Sequence, residues 1–274
     1  MRSIRFGVIT DLHHCNEDIF LNRYFRNTLK KVKEAVRILN SNELDFIVNL
    51  GDTIDRGFEN FEAVTHAFKS FKAPLYTILG NHDFDVEDDQ KKLVPQQLQL
   101  PDNYYEINKN GFQFLFLDGN EISTYANIKS SANYQKTIEL IDKLQSEGAI
   151  NGNDYNGGMS NKQLDWLENK LSEAEKNKLL SIVFCHFPIF PDDKHNLLNN
   201  KEVILIITKF RHVIGWICGH NHDGNFSRIN QCNVINLKGL VETEHENAFS
   251  IFEINEQQMK ITGFGREIDR ALKI

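Results

Sequence analysis

Five short apolar runs in this 274-residue chain each stop at a cluster of Asp, Asn, Gly and His, and no other feature constrains its folding so strongly. In chain order the clusters are Asp11-Leu12-His13, Gly51-Asp52, Gly80-Asn81-His82-Asp83, His186 and Gly219-His220-Asn221-His222. An apolar run of roughly four to eight residues reads as a buried strand, and polar groups drawn inside on this scale need a common reason. Ligands of open α/β sheets gather beyond the carboxyl ends of the strands, so a fold that aligns those ends brings the five clusters together. In an extended segment alternate side chains share a face. That would aim Asp11 with His13, and His220 with His222, at one point, while the neighbours Asn81 and His82 diverge.

The sequence between the clusters supports a β-α-β-α-β opening. Strands are expected at Ile4–Thr10, Leu44–Leu50 and Pro74–Leu79. One helix places Leu21, Phe25, Leu29, Val32, Val36 and Leu39 on a single face, and a second does the same with Phe61, Val64, Phe68 and Phe71. A helix is expected within Asp83–Gln99, then a hairpin of Tyr104–Ile107 with Phe112–Leu117 turning at Lys109–Gly111. From Gly119 the pattern weakens, apart from a helix at Tyr134–Gln145, so residues 119–158 are expected to form an insertion or lid. Helices at Asn161–Ala174 and Glu202–Phe210 alternate with strands at Leu180–Cys185 and Val213–Cys218. Strands at Phe226–Ile229, Cys232–Leu237, Ala248–Ile254 and Gln258–Gly265 close the chain. No repeat or linker interrupts it, so residues 1–274 are expected to form a single α/β domain of two packed sheets with helices outside.

The donor set defines the chemistry. Imidazole, carboxylate and amide without thiolate suit Mn, Fe, Zn, Co or Mg, not a structural zinc site or an iron–sulfur cluster. The seven candidate ligands Asp11, His13, Asp52, Asn81, His186, His220 and His222 are too many for one ion. Two ions about 3.5–4 Å apart, bridged by Asp52, accommodate them and form the clamp used for in-line displacement at phosphorus. Net charge points the same way. At -7 the chain lacks the basic excess that nucleic acid or an anionic membrane requires, so a phosphate pocket must draw its positive charge from metal ions. His14, His66, His195, His212 and His245 stand outside the clusters and are read as structural or merely exposed. Cys15, Cys185, Cys218 and Cys232 form no C-x-x-C pair and read as reduced core thiols. The N-terminal segment lacks the unbroken apolar stretch of a signal peptide, and no run approaches the ~20 residues of a membrane span, so a cytoplasmic location is expected.

The ordered pattern D-x-H, GD-x-x-D, GNHD, H-x-P and GHNH, from Asp11 to His222, resembles the calcineurin-like metallophosphoesterase superfamily. The resemblance implies a four-layer α/β/β/α sandwich with a dinuclear centre. Carried over by residue, Asp11, His13, Asp52 and His222 hold one metal, and Asp52, Asn81, His186 and His220 hold the other. His82, paired with Asp83, contacts the phosphoryl group and protonates the leaving oxygen or stabilises developing charge.

A narrower resemblance is carried by Tyr155-Asn156-Gly157-Gly158 with Ser160, Gln163, Trp166 and Leu167, by Leu237 to Thr243 (LKGLVET), and by Gly263 to Arg266 (GFGR). These look like the manganese-dependent ADP-ribose/CDP-alcohol diphosphatases, which implies manganese and a small nucleotide-like substrate. In that likeness Tyr155, Asn156 and Arg23 fall on the substrate side. Arg56, in Asp55-Arg56-Gly57, is similar to the phosphate-binding Arg of the protein phosphatase branch. His13 stands where the narrower family carries Gln, which leaves open a phosphodiesterase acting on cyclic nucleotides or glycerophosphodiesters. A scaffold that has lost its chemistry should lack a ligand, and none is lacking here.

Overall fold

Strict alternation along the strands decides the layering. The computed structural model describes residues 2–274. In β1 (Ser3–Ile9), Ile4, Phe6 and Val8 point to one side and Gly7 and Ile9 to the other; β2 (Phe46–Asn49) repeats this with Phe46 and Val48 against Ile47. Both strands therefore bury two faces, as parallel strands do. With β3 (Leu75–Thr77) they form a parallel set, which β10 (Ala248–Asn255), β11 (Gln258–Gly265) and β12 (Arg270–Lys273) extend antiparallel, in the order β12-β11-β10-β1-β2-β3.

The second sheet runs β4-β5-β6-β7-β9-β8. It joins β4 (Tyr105–Lys109), β5 (Phe112–Phe116), β6 (Leu180–Phe184), β7 (Val213–Cys218), β8 (Asn225–Ile229) and β9 (Cys232–Asn236). Strands β5, β6, β7 and β9 are parallel, so their carboxyl ends open on one edge.

Between the sheets lies an aromatic layer. Phe6 stacks between Phe46 and Phe252, with ring centroids 4.9 and 5.1 Å away, and meets Phe114 and Phe184 edge-on. On the outer face of the first sheet pack α1 (Thr28–Asn40) and α2 (Phe61–Phe68), through Val32, Val36, Leu39, Val64 and Phe68. Gly7 permits that approach, since a Cβ there would lie 2.8 Å from Leu39 Cδ2. The short α3 (Val94–Gln97) and α4 (Ala132–Ser146) precede α5 (Asn161–Lys176) and α6 (Asn200–Ile207), which cover the second sheet through Leu164, Leu167, Leu171, Val203 and Ile207. The result is the expected four-layer α/β/β/α sandwich. All four cysteines are buried and free, and among the described residues no helix is long and apolar enough to cross a membrane.

The first helix starts later than the periodicity suggests. α1 begins at Thr28, Phe25 lies in a preceding 3-10 turn, and Leu21 sits in a loop at 79% exposure, because its φ of 54° breaks the helical register. The expected helix within Asp83–Gln99 shrinks to turns and Val94–Gln97. The final strand β12 carries too little apolar alternation to be read in advance. Residues 119–158 are tied at both ends, where Ile122 and Gly158 exchange two 2.9 Å backbone hydrogen bonds.

If the aromatic layer holds the sheets together, Phe6→Ala should cost about 3–5 kcal/mol in denaturant unfolding, and Phe6→Leu distinctly less.

Candidate metal centre

The strand ends meet where the two sheets share an edge. Asp11 and His13 follow β1, Asp52 follows β2, Asn81 and His82 follow β3, His186 follows β6, and His220 and His222 follow β7. The reason that Asp11 and His13 converge is not strand alternation. Asp11, His13, Asp52 and His220 take left-handed conformations with φ of 51°, 47°, 51° and 69°, so the chain coils at the strand ends and turns these side chains inward. Such strain in four non-glycine residues clusters at functional sites. The adjacent glycines permit tight backbone approach: a Cβ on Gly80 would collide with Asp52, and one on Gly219 with Thr10 and Asp11.

Among the described residues three donor groups result, one of them His13, Asp55 and His82. The other two share Asp52: Asp11, His13, Asp52 and His222 form the first, and Asp52, His186 and His220 the second, with the donor atoms of each within 4.8 Å of one another. Asp52 joins them through a single oxygen. Its Oδ2 lies 3.2 Å from His13 Nε2 and 3.3 Å from His186 Nε2, while Oδ1 accepts the His82 backbone N–H at 2.8 Å.

Each histidine is oriented from outside. Nδ1 of His13 donates to Asp55 Oδ1 (3.0 Å), Nδ1 of His222 to Glu242 Oε1 (2.8 Å), Nδ1 of His186 to the Leu50 carbonyl (2.8 Å), and Nε2 of His220 to Asn156 Oδ1 (3.0 Å). With one ring nitrogen committed as a donor, the other presents a lone pair to the centre. His13 Nε2 and His222 Nε2 then face each other at 3.0 Å, an arrangement that needs either a proton on one of them or a cation held by both. The buried Asn81 Oδ1 and His186 Nε2 have no hydrogen-bond partner. Two orphaned buried acceptors and opposed lone pairs fit divalent cations held by this donor set.

The electrostatics agree. Burial would raise the Asp52 carboxyl, but His186 and His13 beside it hold it well below the usual range. Burial pushes the His13 and His186 imidazoles down, yet Asp52 overrides it and lifts each to about 9. A site that draws protons onto buried imidazoles is strongly anionic, and a cation would displace those protons to meet the inward lone pairs.

His82 does not pair with Asp83. Asp83 is fully buried and spends its carboxylate on the backbone N–H groups of Thr53 (2.8 Å), Ile54 (3.3 Å) and Gly80 (2.9 Å). The 3-10 turn at His82–Phe84 directs neighbouring side chains apart. The partner is Asp55, whose carbonyl accepts from His82 Nδ1 at 3.0 Å and whose Oδ1 lies 3.4 Å away. Burial and the nearby charge of His13 push His82 down to about 4. Asp55 also takes Arg56, with Nε and Nη2 both 2.8 Å from Oδ2, and lies 3.8 Å from Arg23 Nη1. Asp55 was visible in the GD-x-x-D pattern, but its use as a hub for two histidines was not.

Of the expected substrate residues, Asn156 is corrected. It is fully buried, its Nδ2 donates to the Asn151 and Lys194 carbonyls, and its Oδ1 orients His220, so it supports the centre and is closed to substrate. Tyr155 lines a cavity of about 370 Å³ that opens on Asn81 and His82 and is walled by Phe84, Lys91 and Tyr125. Arg56 is half-exposed beside Asp55; Arg23 stands between Asp55 and Glu242. His195, set aside from the sequence, packs edge-on to His220 with centroids 5.5 Å apart. Glu242 and Asn120 were missed. Asn120, in the loop after β5, ties the Asn81 loop through the Leu79 carbonyl at 2.9 Å, and the Asp118-Gly119-Asn120 cluster was its signal in the sequence.

The sequence profile described as Calcineurin-like phosphoesterase matches residues 4–224. The human Manganese-dependent ADP-ribose/CDP-alcohol diphosphatase is 27% identical over 99% of this chain and 93% of its own length. Its Arabidopsis thaliana namesake is 27% identical over 81% of this chain and 80% of its own length. Among solved structures, a dimetal phosphatase from Danio rerio shares the fold with a TM-score of 0.88 at 22% identity, covering 100% of this chain and 99% of that one.

Because three buried backbone donors depend on it, Asp83→Ala should lower stability by about 3 kcal/mol or more in urea unfolding, and Asp83→Asn by less.

Proposed function

Because the chain belongs to the calcineurin-like phosphoesterase family, we propose that it hydrolyses the pyrophosphate bond of nucleoside diphosphate conjugates such as ADP-ribose or CDP-alcohols, with manganese as its metal. The observation that carries this reading is Asp52 Oδ2, shared between two groups of donors whose histidines are all oriented from behind. Asp11, His13, Asp52 and His222 would hold one cation, and Asp52, Asn81, His186 and His220 the other. Bound there, the two cations supply charge for the phosphoryl oxygens and Lewis-acid activation of water.

The chain's own groups do the rest. Asp55 fixes the His82 ring at the cavity mouth, where it meets the phosphoryl group. Arg23, with 27% of its side chain exposed, brings a permanent cation beside Asp55, the residue that holds His82, for a phosphate oxygen. Tyr155, Tyr125 and Phe84 give an otherwise polar cavity three aromatic walls that suit the organic half of a conjugate. Residues 119–158 supply two of those walls, which favours a fixed wall over a moving lid. One metallophosphoesterase domain over residues 1–274 is the consistent reading, since the centre draws on groups from Asp11 to Glu242.

The leaving group in this reaction is a phosphate monoester, whose second pKa of about 6 lets it depart with little protonation. His82→Ala should therefore slow hydrolysis of an alkyl phosphodiester more than that of ADP-ribose; equal losses on both would contradict the role given to His82.

The reading itself is tested by assaying metal-stripped protein, with Mn²⁺ or Mg²⁺ restored, on ADP-ribose, CDP-choline, 2′,3′-cAMP and bis-p-nitrophenyl phosphate. Mn²⁺-dependent release of nucleoside monophosphate from the first two, abolished in Asp52→Ala, is expected. Turnover confined to the last two would make the chain a phosphodiesterase, and no turnover with metals bound would make it a scaffold.

A further inference from the structure

The segment that carries Glu242 is held from behind by a buried ammonium. Lys31, on α1, is 2% exposed, and its Nζ donates to the carbonyls of Leu240 (2.9 Å), Glu242 (2.8 Å) and Thr243 (2.6 Å), with that of Val241 at 3.5 Å. Successive carbonyls of an extended strand alternate in direction. Here they converge on one point, helped by a left-handed Thr243 with φ of 65°. Carbonyl dipoles gathered this way repel one another unless a cation lies among them, and burying a lysine is costly unless it is fully hydrogen-bonded. Each side of the contact therefore requires the other.

The gathered segment touches the metal centre twice. Leu240 and Val241 donate their N–H groups to the carbonyls of Thr10 (3.1 Å) and Asp11 (3.0 Å), and Glu242 Oε1 accepts from His222 Nδ1 at 2.8 Å. Gly239 lies against the His222 ring, and its carbonyl accepts from Arg266 Nη2. The other donor group is oriented without this segment, through Leu50 and Asn156.

We propose that Lys31 is a positioning residue of the metal centre: by gathering the carbonyls of residues 240–243 it sets Glu242 against His222, and so tunes the affinity of the Asp11, His13, Asp52 and His222 site alone. This rests on the metal-centre reading above. Groups that orient a metal-bound histidine typically change metal affinity by about 10–100-fold when removed.

The test is calorimetric titration of the metal-stripped full chain with Mn²⁺. Wild type should take up two equivalents. Lys31→Met should weaken one of the two by about tenfold or more and leave the other unchanged. Glu242→Gln should weaken the same one, and the double variant should be no weaker than the worse single variant, because the two act through one histidine. A folded Lys31→Met with both affinities intact, or losses spread equally over both sites, would overturn the proposal while leaving the metal centre standing. Wild type that binds no Mn²⁺ would remove the metal-centre reading and this one with it. Should Lys31→Met not fold, Lys31→Arg keeps the charge but brings a planar guanidinium that cannot meet the converging carbonyls as an ammonium does, so the same selective weakening is expected and its absence is decisive.

Discussion

The carboxylate of Asp52, buried between two sets of imidazoles, is the charge on which the rest of the site depends. A bare carboxylate at 1% exposure is untenable, and the molecule answers by surrounding it with His13, His186 and the His82 backbone N–H. Those imidazoles are buried too, so each is anchored outward to a carboxylate or carbonyl. The requirement then propagates. Asp55 must be neutralised, which Arg56 and Arg23 accomplish, and the segment carrying Glu242 must be fixed, which Lys31 accomplishes from the opposite side.

The sheets make such a centre affordable. Parallel strands deliver their carboxyl ends to one edge, where backbone groups have run out of ladder partners and can be used by side chains. The His186 anchor on the Leu50 carbonyl shows this, as it crosses from one sheet to the other at the point where the strands end. The rigid Phe layer beneath keeps the two sheets, and thus the two donor groups, in fixed relation. Strain in the left-handed residues at these ends is sustained by the same packing.

Local and non-local information divide cleanly. Most strand positions, the layering and the candidate donors were legible in the sequence, because strands buried on both faces read as short continuous apolar runs and metal chemistry restricts ligand types to His, Asp and Asn. Even the sharing of Asp52 followed from counting donors. What failed were the rules that assume regular backbone: alternation was invoked for Asp11 and His13, whereas coiled left-handed turns bring them together. The pairing of His82 with Asp83, carried over from the resemblance, failed as well, since Asp83 turned to the backbone of Thr53 and Gly80 while Asp55 took His82.

The sequence by itself determined the sandwich, the five strand-end clusters and the class of chemistry they support, since each follows from short-range patterns of burial and donor type. Only the tertiary structure decided which groups stand behind the donors. Asn156 behind His220, Glu242 behind His222 and Lys31 behind Glu242 are separated by 64, 20 and 211 residues respectively. No local pattern encodes such pairings. A hydrogen bond depends on where folded segments meet, and that meeting is fixed by packing of the whole chain.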